Sequence, residues 1–304
     1  MESVLECLPR GSRVAILRLR SLGDCVLTTP ALDILKRFRG DLRLAVFVEN
    51  RFREIFEGNP DLAEIHPPEL AALRRFRPQL CLNFHGGTRS AWMTELSGAR
   101  YRAGFGHYRQ QFLYNVHIPR AQEILRVDRT VHTAEHLASA IFFLGAPIVE
   151  IPRAKLVADA PGPPASEPAY AVIHAVAATP EKTWGPAHFL AVAHHLAQSG
   201  LSPVFIGATG DDLTPFSEYR TLHTSLSGIK SLLASAALFV GNDSGPAHMA
   251  AAFGVPSVVI FGPSDPAIWG PWRTAGEVVS GPGGIGDVMV GQVVDALHRL
   301  RVPA

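Results

Sequence analysis

The sequence predicts an α/β protein made of two doubly wound domains. Three observations carry that expectation. In both halves of the 304-residue chain, short apolar runs alternate with longer stretches of helical periodicity. Residues 160–166 (APGPPAS) can continue neither a helix nor a central strand, and they separate the halves. The halves, 1–160 and 161–304, are each close to the ~150 residues of an ordinary domain. Strands alternating with helices imply mostly parallel sheets with right-handed crossovers. Two such domains leave a ligand cleft at the carboxyl ends of their strands.

Residues 13–19 (RVAILRL) read as the first strand. A helix runs through 31–38 and ends near Gly40. Residues 42–48 form a second strand, and 51–57 a helix stopped by Gly58-Asn59-Pro60. A strand at 79–84 is followed by a helix at 89–96. Residues 133–144 form a helix closed by Gly145-Ala146-Pro147. Beyond 160–166 the pattern restarts with a strand at 170–174, a helix at 186–198 and a strand at 203–206. Residues 231–236 are helical, 236–240 a strand, 247–253 a helix closed by Gly254, and 257–261 a strand. Residues 288–300 carry Val290, Val293, Val294, Leu297 and Leu300 at helical spacing.

Apolar content of 47% and charged content of 18% suit a globular chain. No stretch approaches the roughly 18 uninterrupted apolar residues of a membrane span, and no secretion signal is evident at the N-terminus. Cys7, Cys25 and Cys81 cannot all pair and lack metal-type spacing, so a reducing cytoplasm is expected. Charge is uneven. Residues 1–160 carry 22 Lys/Arg against 17 Asp/Glu, a net of +5, and residues 161–304 carry 6 against 10, a net of −4. Within 71–120, eight arginines face Glu95 alone. Such a field favours an anionic partner, or is a solvated arginine surface. No nucleic-acid motif accompanies it.

The run 241–248 (GNDSGPAH) is the most specific motif. A small polar turn between strand and helix presents backbone N–H groups to an anion. Asp243 and Ser244 are good caps, Pro246 suits the first helical turn, and Gly245 admits a ligand close to the backbone. A diphosphate site is expected there. His248 either touches substrate or packs against its own turn.

The segment 18–24 (RLRSLGD) follows the first strand. Gly23 allows a tight turn that places Asp24 at the sheet edge, where it removes a proton from a hydroxyl or merely caps the next helix. Lys182 in TPEKTW (179–184) is a point charge for phosphate or a solvated loop lysine. The turn IGATGDD (206–212) offers an acid for ribose hydroxyls. His132 and His136 fit the inverted zinc pattern H-x-x-E-H, but with no third ligand a packed or surface pair is expected. Cys25 has no placeable histidine partner and is expected to pack. No G-x-G-x-x-G follows the first strand, which argues against a nicotinamide dehydrogenase.

Four segments together resemble glycosyltransferase family 9, the lipopolysaccharide heptosyltransferases. They are residues 18–32, residues 82–91 with 96–100, residues 181–184, and residues 240–248 with 261–266. The resemblance implies a GT-B fold, two Rossmann-like domains facing across a cleft. Residues 1–160 would bind the acceptor and 161–304 the nucleotide-sugar donor, with the terminal helix free to pack back on the first domain. By position, Asp24 resembles the catalytic base, Lys182 the diphosphate-binding lysine and Asp211, beside Asp212, the ribose-binding acid. Asp243, Ser244, Gly245, Pro246, Ala247 and His248 match the nucleotide-diphosphate loop, while Arg20, Ser21 and Gly23 fall on the acceptor side. Residues 175–179 (AVAAT) are more apolar than the family's phosphate-contacting loop, and Gly185 replaces the usual proline.

The implied reaction is an inverting transfer of heptose from ADP-heptose to a Kdo or heptose acceptor of the lipopolysaccharide inner core. It needs no metal or other cofactor. The implied partners are the donor and an anionic lipid A–Kdo acceptor met peripherally at the inner face of the cytoplasmic membrane, with no nucleic acid. Two alternatives stand beside it: another GT-B nucleotide-sugar enzyme, such as an epimerase or a transferase of a different sugar, and a non-catalytic nucleotide-sugar-binding protein.

Overall fold

A parallel strand covered on both faces has to be apolar throughout, and Val14, Ala15, Ile16 and Leu17 are all inaccessible to solvent. They belong to the central strand of the first of two units, Met1–Lys155 and Leu156–Ala304, in a computed structural model. It describes residues 3–158, 169–177 and 179–300. The expected linker at 160–166 lies outside the described residues.

The first unit holds strands β1 (Arg13–Leu17), β2 (Arg43–Phe47), β3 (Glu64–His66), β4 (Leu80–Asn83), β5 (Tyr101–Phe105) and β6 (Val116–Ile118). All pair in parallel, in the order β3-β2-β1-β4-β5-β6. Its helices are α1 (Val4–Cys7), α2 (Leu22–Phe38), α3 (Arg53–Phe56), α4 (Leu70–Phe76), α5 (Thr88–Glu95), α6 (Ala121–Leu125) and α7 (Thr133–Leu144). Leu73 and Phe76 of α4 and Met93 of α5 pack on Ala15, Leu17 and Phe47 of the sheet. Helix α2 packs against α7.

Helix α2 starts well before the expected residue 31, because Pro30 lies inside it. Proline removes the N–H that would reach the Val26 carbonyl. The Thr29 hydroxyl donates to that carbonyl instead, at 2.8 Å. The same hydroxyl accepts from the Lys155 N–H at 2.8 Å, while Lys155 Nζ bonds Asp33 at 2.5 Å and Asp61 at 2.6 Å. The end of the first unit is thereby tied to the middle of α2.

The second unit holds β7 (Tyr170–His174), β8 (Ser202–Gly207), β9 (Arg220–His223), β10 (Leu238–Asn242), β11 (Ser257–Phe261) and β12 (Gly276–Ser280). Its sheet is again parallel, ordered β12-β11-β10-β7-β8-β9. Read from the other edge, this repeats the first sheet's topology. Its helices are α8 (Pro186–Gln198), α9 (Leu226–Leu233), α10 (Gly245–Phe253), α11 (Pro266–Trp269) and α12 (Val290–Leu300). Helix α9 lies earlier than the expected 231–236, because Ser225 caps it by accepting from the Gly228 N–H at 3.2 Å. The terminal helix, expected to be free to pack back on the first domain, buries Val293, Ala296 and Leu297 in the second unit's own core.

Candidate active site

A doubly wound sheet receives its ligand beyond the carboxyl ends of its strands, where strand order reverses. That reversal lies between β1 and β4 in the first unit and between β7 and β10 in the second. Each unit gathers a polar cluster there.

In the first unit Arg18 follows β1 with its side chain 5% exposed, and its Nη1 meets Asp24 Oδ1 at 3.2 Å. Arg18 Nε donates to Thr28 Oγ1 at 3.2 Å. The Ser21 hydroxyl donates to Asp24 Oδ2 at 2.8 Å. Asp24 therefore lies in the first turn of α2, held by two side chains, and does not cap the helix as a lone acid would. Gly23 is an ordinary helical residue there and not the pivot of a tight turn. Arg20 and Ser21 are joined by a cis peptide, and the Arg20 carbonyl accepts from His85 Nδ1 at 3.2 Å. Asp24, its side chain 23% exposed, keeps access to solvent, and each of its oxygens retains a second lone pair.

The opposite wall is the loop after β4. Asn83 is wholly buried, and its Oδ1 accepts from the His85 N–H at 3.0 Å and the Gly86 N–H at 3.1 Å. Its Nδ2 donates to the Tyr114 hydroxyl at 2.9 Å. Gly86 has φ +73°, and a Cβ there would lie 2.7 Å from the Tyr108 ring, so only glycine fits. Burial, followed by the charge of Arg18, lowers the His85 pKa. Arg18, Asn83, His85 and Tyr108 were given no role from sequence. The signal for Asn83 was a polar residue closing an apolar strand.

The histidine pair of α7 divides as a packed pair does. His132 caps α7, its Nδ1 accepting from the Ala134 N–H at 3.1 Å. Glu135 accepts from the His132 N–H at 2.9 Å and pairs with Arg129 at 2.6 Å. His136 stacks on Phe105 at 3.9 Å between centroids, and burial pushes its pKa down to about 4. Among the described residues no group of three or more His, Cys, Asp and Glu side chains is placed to hold a metal ion. Burial raises the Cys25 thiol to about 12, which suits packing and not nucleophilic attack.

In the second unit Lys182 ends a 3-10 turn, Pro180–Lys182, and its Nζ meets Asp243 Oδ2 at 2.9 Å. Trp184 fixes this turn. It is wholly buried, its N–H donates to Asn242 Oδ1 at 3.0 Å, and its indole Nε1 donates to the Val288 carbonyl at 2.8 Å. Asn242 returns its Nδ2 to the Ala175 carbonyl at 3.0 Å. A Cβ on Gly262 would collide with the Glu181 carbonyl, so the loop after β11 closes on the same turn.

Ser244 stands at the N-cap of α10, but its hydroxyl shares a 3.1 Å hydrogen bond with His174 Nδ1 and does not cap. Asp243 likewise spends its carboxylate on Lys182. Pro246 has no N–H, the Ala247 N–H turns back to the Ser244 carbonyl at 3.1 Å, and no described residue accepts from the Gly245 N–H. The start of α10 thus keeps a backbone donor from which an anion could accept. Burial depresses the His174 pKa to about 4, while the charge of Asp211 acts to raise it. Asp211 accepts from the Ala208 N–H at 2.7 Å, whereas Asp212 accepts from the Thr214 N–H at 2.9 Å. Asp211 is therefore the acid beside the cluster. His248 is 5% exposed within α10, its ring 6.3 Å from that of Trp269.

The family model of glycosyltransferase family 9 (heptosyltransferase) matches residues 71–284. The chain is 26% identical over 290 residues to lipopolysaccharide heptosyltransferase 3 of Escherichia coli, covering 84% of each chain. It is similar in fold to a family 9 glycosyltransferase from Veillonella parvula, with a TM-score of 0.81, 19% identity and coverage of 95% and 97%. An E. coli heptosyltransferase solved with ADP superposes with a TM-score of 0.77, 20% identity and coverage of 95% and 99%.

Proposed function

We propose, from the premise that this chain belongs to glycosyltransferase family 9, that it moves a heptose from ADP-heptose to the lipopolysaccharide inner core with inversion. Asp24 takes the proton of the acceptor hydroxyl. The freed oxygen pair forms a bond to the anomeric carbon as the bond from that carbon to the diphosphate oxygen breaks. ADP departs with the electron pair. Lys182 and the open N-terminus of α10 at Gly245 receive the developing negative charge. Lys182 has three donors and spends one on Asp243, so the others serve the diphosphate.

The first unit is the acceptor side in this reading, and its arginine-rich stretch suits a phosphorylated, Kdo-containing acceptor. The second unit is the donor side, with Asp211 for the ribose. Fixed protein charge substitutes for a metal, so EDTA is expected to leave turnover unchanged. The enzyme works in the cytoplasm. Contact with the lipid acceptor is peripheral in this reading, and no helix among the described residues is long and apolar enough to cross a membrane.

The observation that supports the reading best is the Lys182–Asp243 pair beside an uncapped helix start. Calorimetric titration with ADP, UDP, GDP and NAD in EDTA tests it. Selective ADP binding that weakens about 30-fold in Lys182→Ala is expected. Preference for UDP or GDP would replace the donor sugar, and binding of NAD alone would overturn the transferase reading.

A further inference from the structure

Three large apolar side chains stand in solvent on one face of the first unit: Trp92 at 48% exposure, Leu96 at 41% and Phe112 at 72%. Trp92 lies in α5 and Leu96 at its C-cap, four residues on and so on the same side. Phe112 belongs to the 3-10 turn Gln111–Leu113, which is fastened to α5. Leu113 packs in one cluster with Ala91, and Gln110 Nε2 donates to Thr88 Oγ1 at 2.9 Å.

Arginines flank all three. Arg89 stands one turn before Trp92 and donates to the Pro68 carbonyl at 2.7 Å. Arg74 Nε donates to the Leu96 carbonyl at 2.9 Å. Arg109 is exposed three residues before Phe112. The single carboxylate in residues 71–120, Glu95, is already tied to Arg102 at 2.9 Å. Protruding apolar groups on α5 and on the turn fastened to it therefore neighbour Arg74, Arg89 and Arg109, none of which has a salt-bridge partner among the described residues, although the exposed Glu69 follows Pro68.

We propose that this face docks the protein on an anionic lipid bilayer. Trp92, Leu96 and Phe112 enter the boundary between headgroups and acyl chains, and Arg74, Arg89 and Arg109 lie against lipid phosphates. Charge complementarity selects this occupant. A second copy docked face to face would set like charges against each other. A nucleic acid would use the arginines and the rings, but offers nothing to Leu96. The docking goes beyond the transfer reading and needs no glycolipid, although a protein held this way would meet a membrane-embedded acceptor directly.

Flotation of the full chain with glycolipid-free vesicles tests it, using phosphatidylcholine alone and phosphatidylcholine mixed with phosphatidylglycerol. Binding to the anionic vesicles that weakens with salt is expected. The double variant Trp92→Ser, Phe112→Ser should lose about tenfold or more in partitioning, and Arg109→Gln about fivefold. Ile148→Ser, at an apolar side chain exposed 62% elsewhere in the unit, should bind like the parent. Equal binding to both vesicle types, an unaffected double variant, or an equal loss in Ile148→Ser would overturn the proposal. So would lipid-free self-association abolished by the double variant. ADP binding and turnover on a detergent-dispersed acceptor should be unchanged in the double variant, so docking and transfer can fail separately.

Discussion

The two reversal points carry ion pairs of opposite polarity. Beside β1 the cation is sunk and the anion shows, with the Arg18 side chain 5% exposed and Asp24 23%. Beside β7 the anion is sunk and the cation shows, with Asp243 8% exposed and Lys182 34%. A buried asparagine closes the fourth strand in both, Asn83 in β4 and Asn242 in β10. Asn83 secures the loop that follows it, whereas Asn242 secures the turn carrying Lys182. One scaffold thus presents a carboxylate in one unit and an ammonium in the other. The buried partner fixes the position of the exposed one, which faces solvent. A carboxylate suits a hydroxyl that must lose a proton, and an ammonium suits a diphosphate.

Removing the exposed carboxylate is the strongest way to break this contrast. Asp24→Ala should lower turnover about 10³-fold with ADP affinity intact, read by a transfer assay beside calorimetry. Near-parental turnover would remove Asp24 from its role. The asparagines come next. Asn83→Leu strips the His85 and Gly86 N–H groups of their acceptor, and Asn242→Leu strips the Trp184 N–H and the Ala175 carbonyl. Each should cost about 3 kcal/mol in urea unfolding, and only Asn242→Leu should also weaken ADP. Lys182→Ala should weaken ADP about 30-fold.

The smallest effect concerns pH. A histidine buried neutral binds its proton less readily folded than unfolded, so its contribution is present above about pH 6.5 and is lost as pH falls toward 4. With its pKa pushed to about 4, His174 should take on the order of 1–2 kcal/mol from stability between pH 7 and pH 5. Thermal melts of His174→Phe should show a flatter slope over that range and a weaker ADP complex, because Ser244 is released to cap α10.

Much of this was open to sequence reading. Strands β7 and β11 and helices α7 and α8 fall at the expected residues, because a continuous apolar run or a cap with a closing glycine marks them. Strands β3, β5, β6, β9 and β12 were not visible. They lie toward the sheet edges and carry Glu, Arg, His and Gly among few apolar residues, so pairing with a neighbour makes them strands. Asp24, Lys182, Asp211, Asp243 and Ser244 could be singled out because they follow apolar runs, but the roles expected of them came from the family resemblance and not from local pattern. Arg18, Asn83 and His174 could not be singled out, since each is a strand-end residue whose role lies in a contact. His174 meets Ser244 70 residues away, and Lys182 meets Asp243 61 away. Local pattern does not encode such distances.

The place of β1 in its sheet bears on how the chain is made. β1 pairs with β2 and with β4, Leu17 standing opposite both Phe47 and Asn83. A growing polypeptide can join β1 to β2 early, but the crevice beside Asp24 has one wall until β4 is synthesised. Lys155 then arrives last and fastens the finished half at Thr29, Asp33 and Asp61. Once Lys155 has cleared the ribosome, the nascent chain carries a closed first half while the second is still a thread. The half-built sheet, with an open edge at β1, is the species that a chaperone would have to guard.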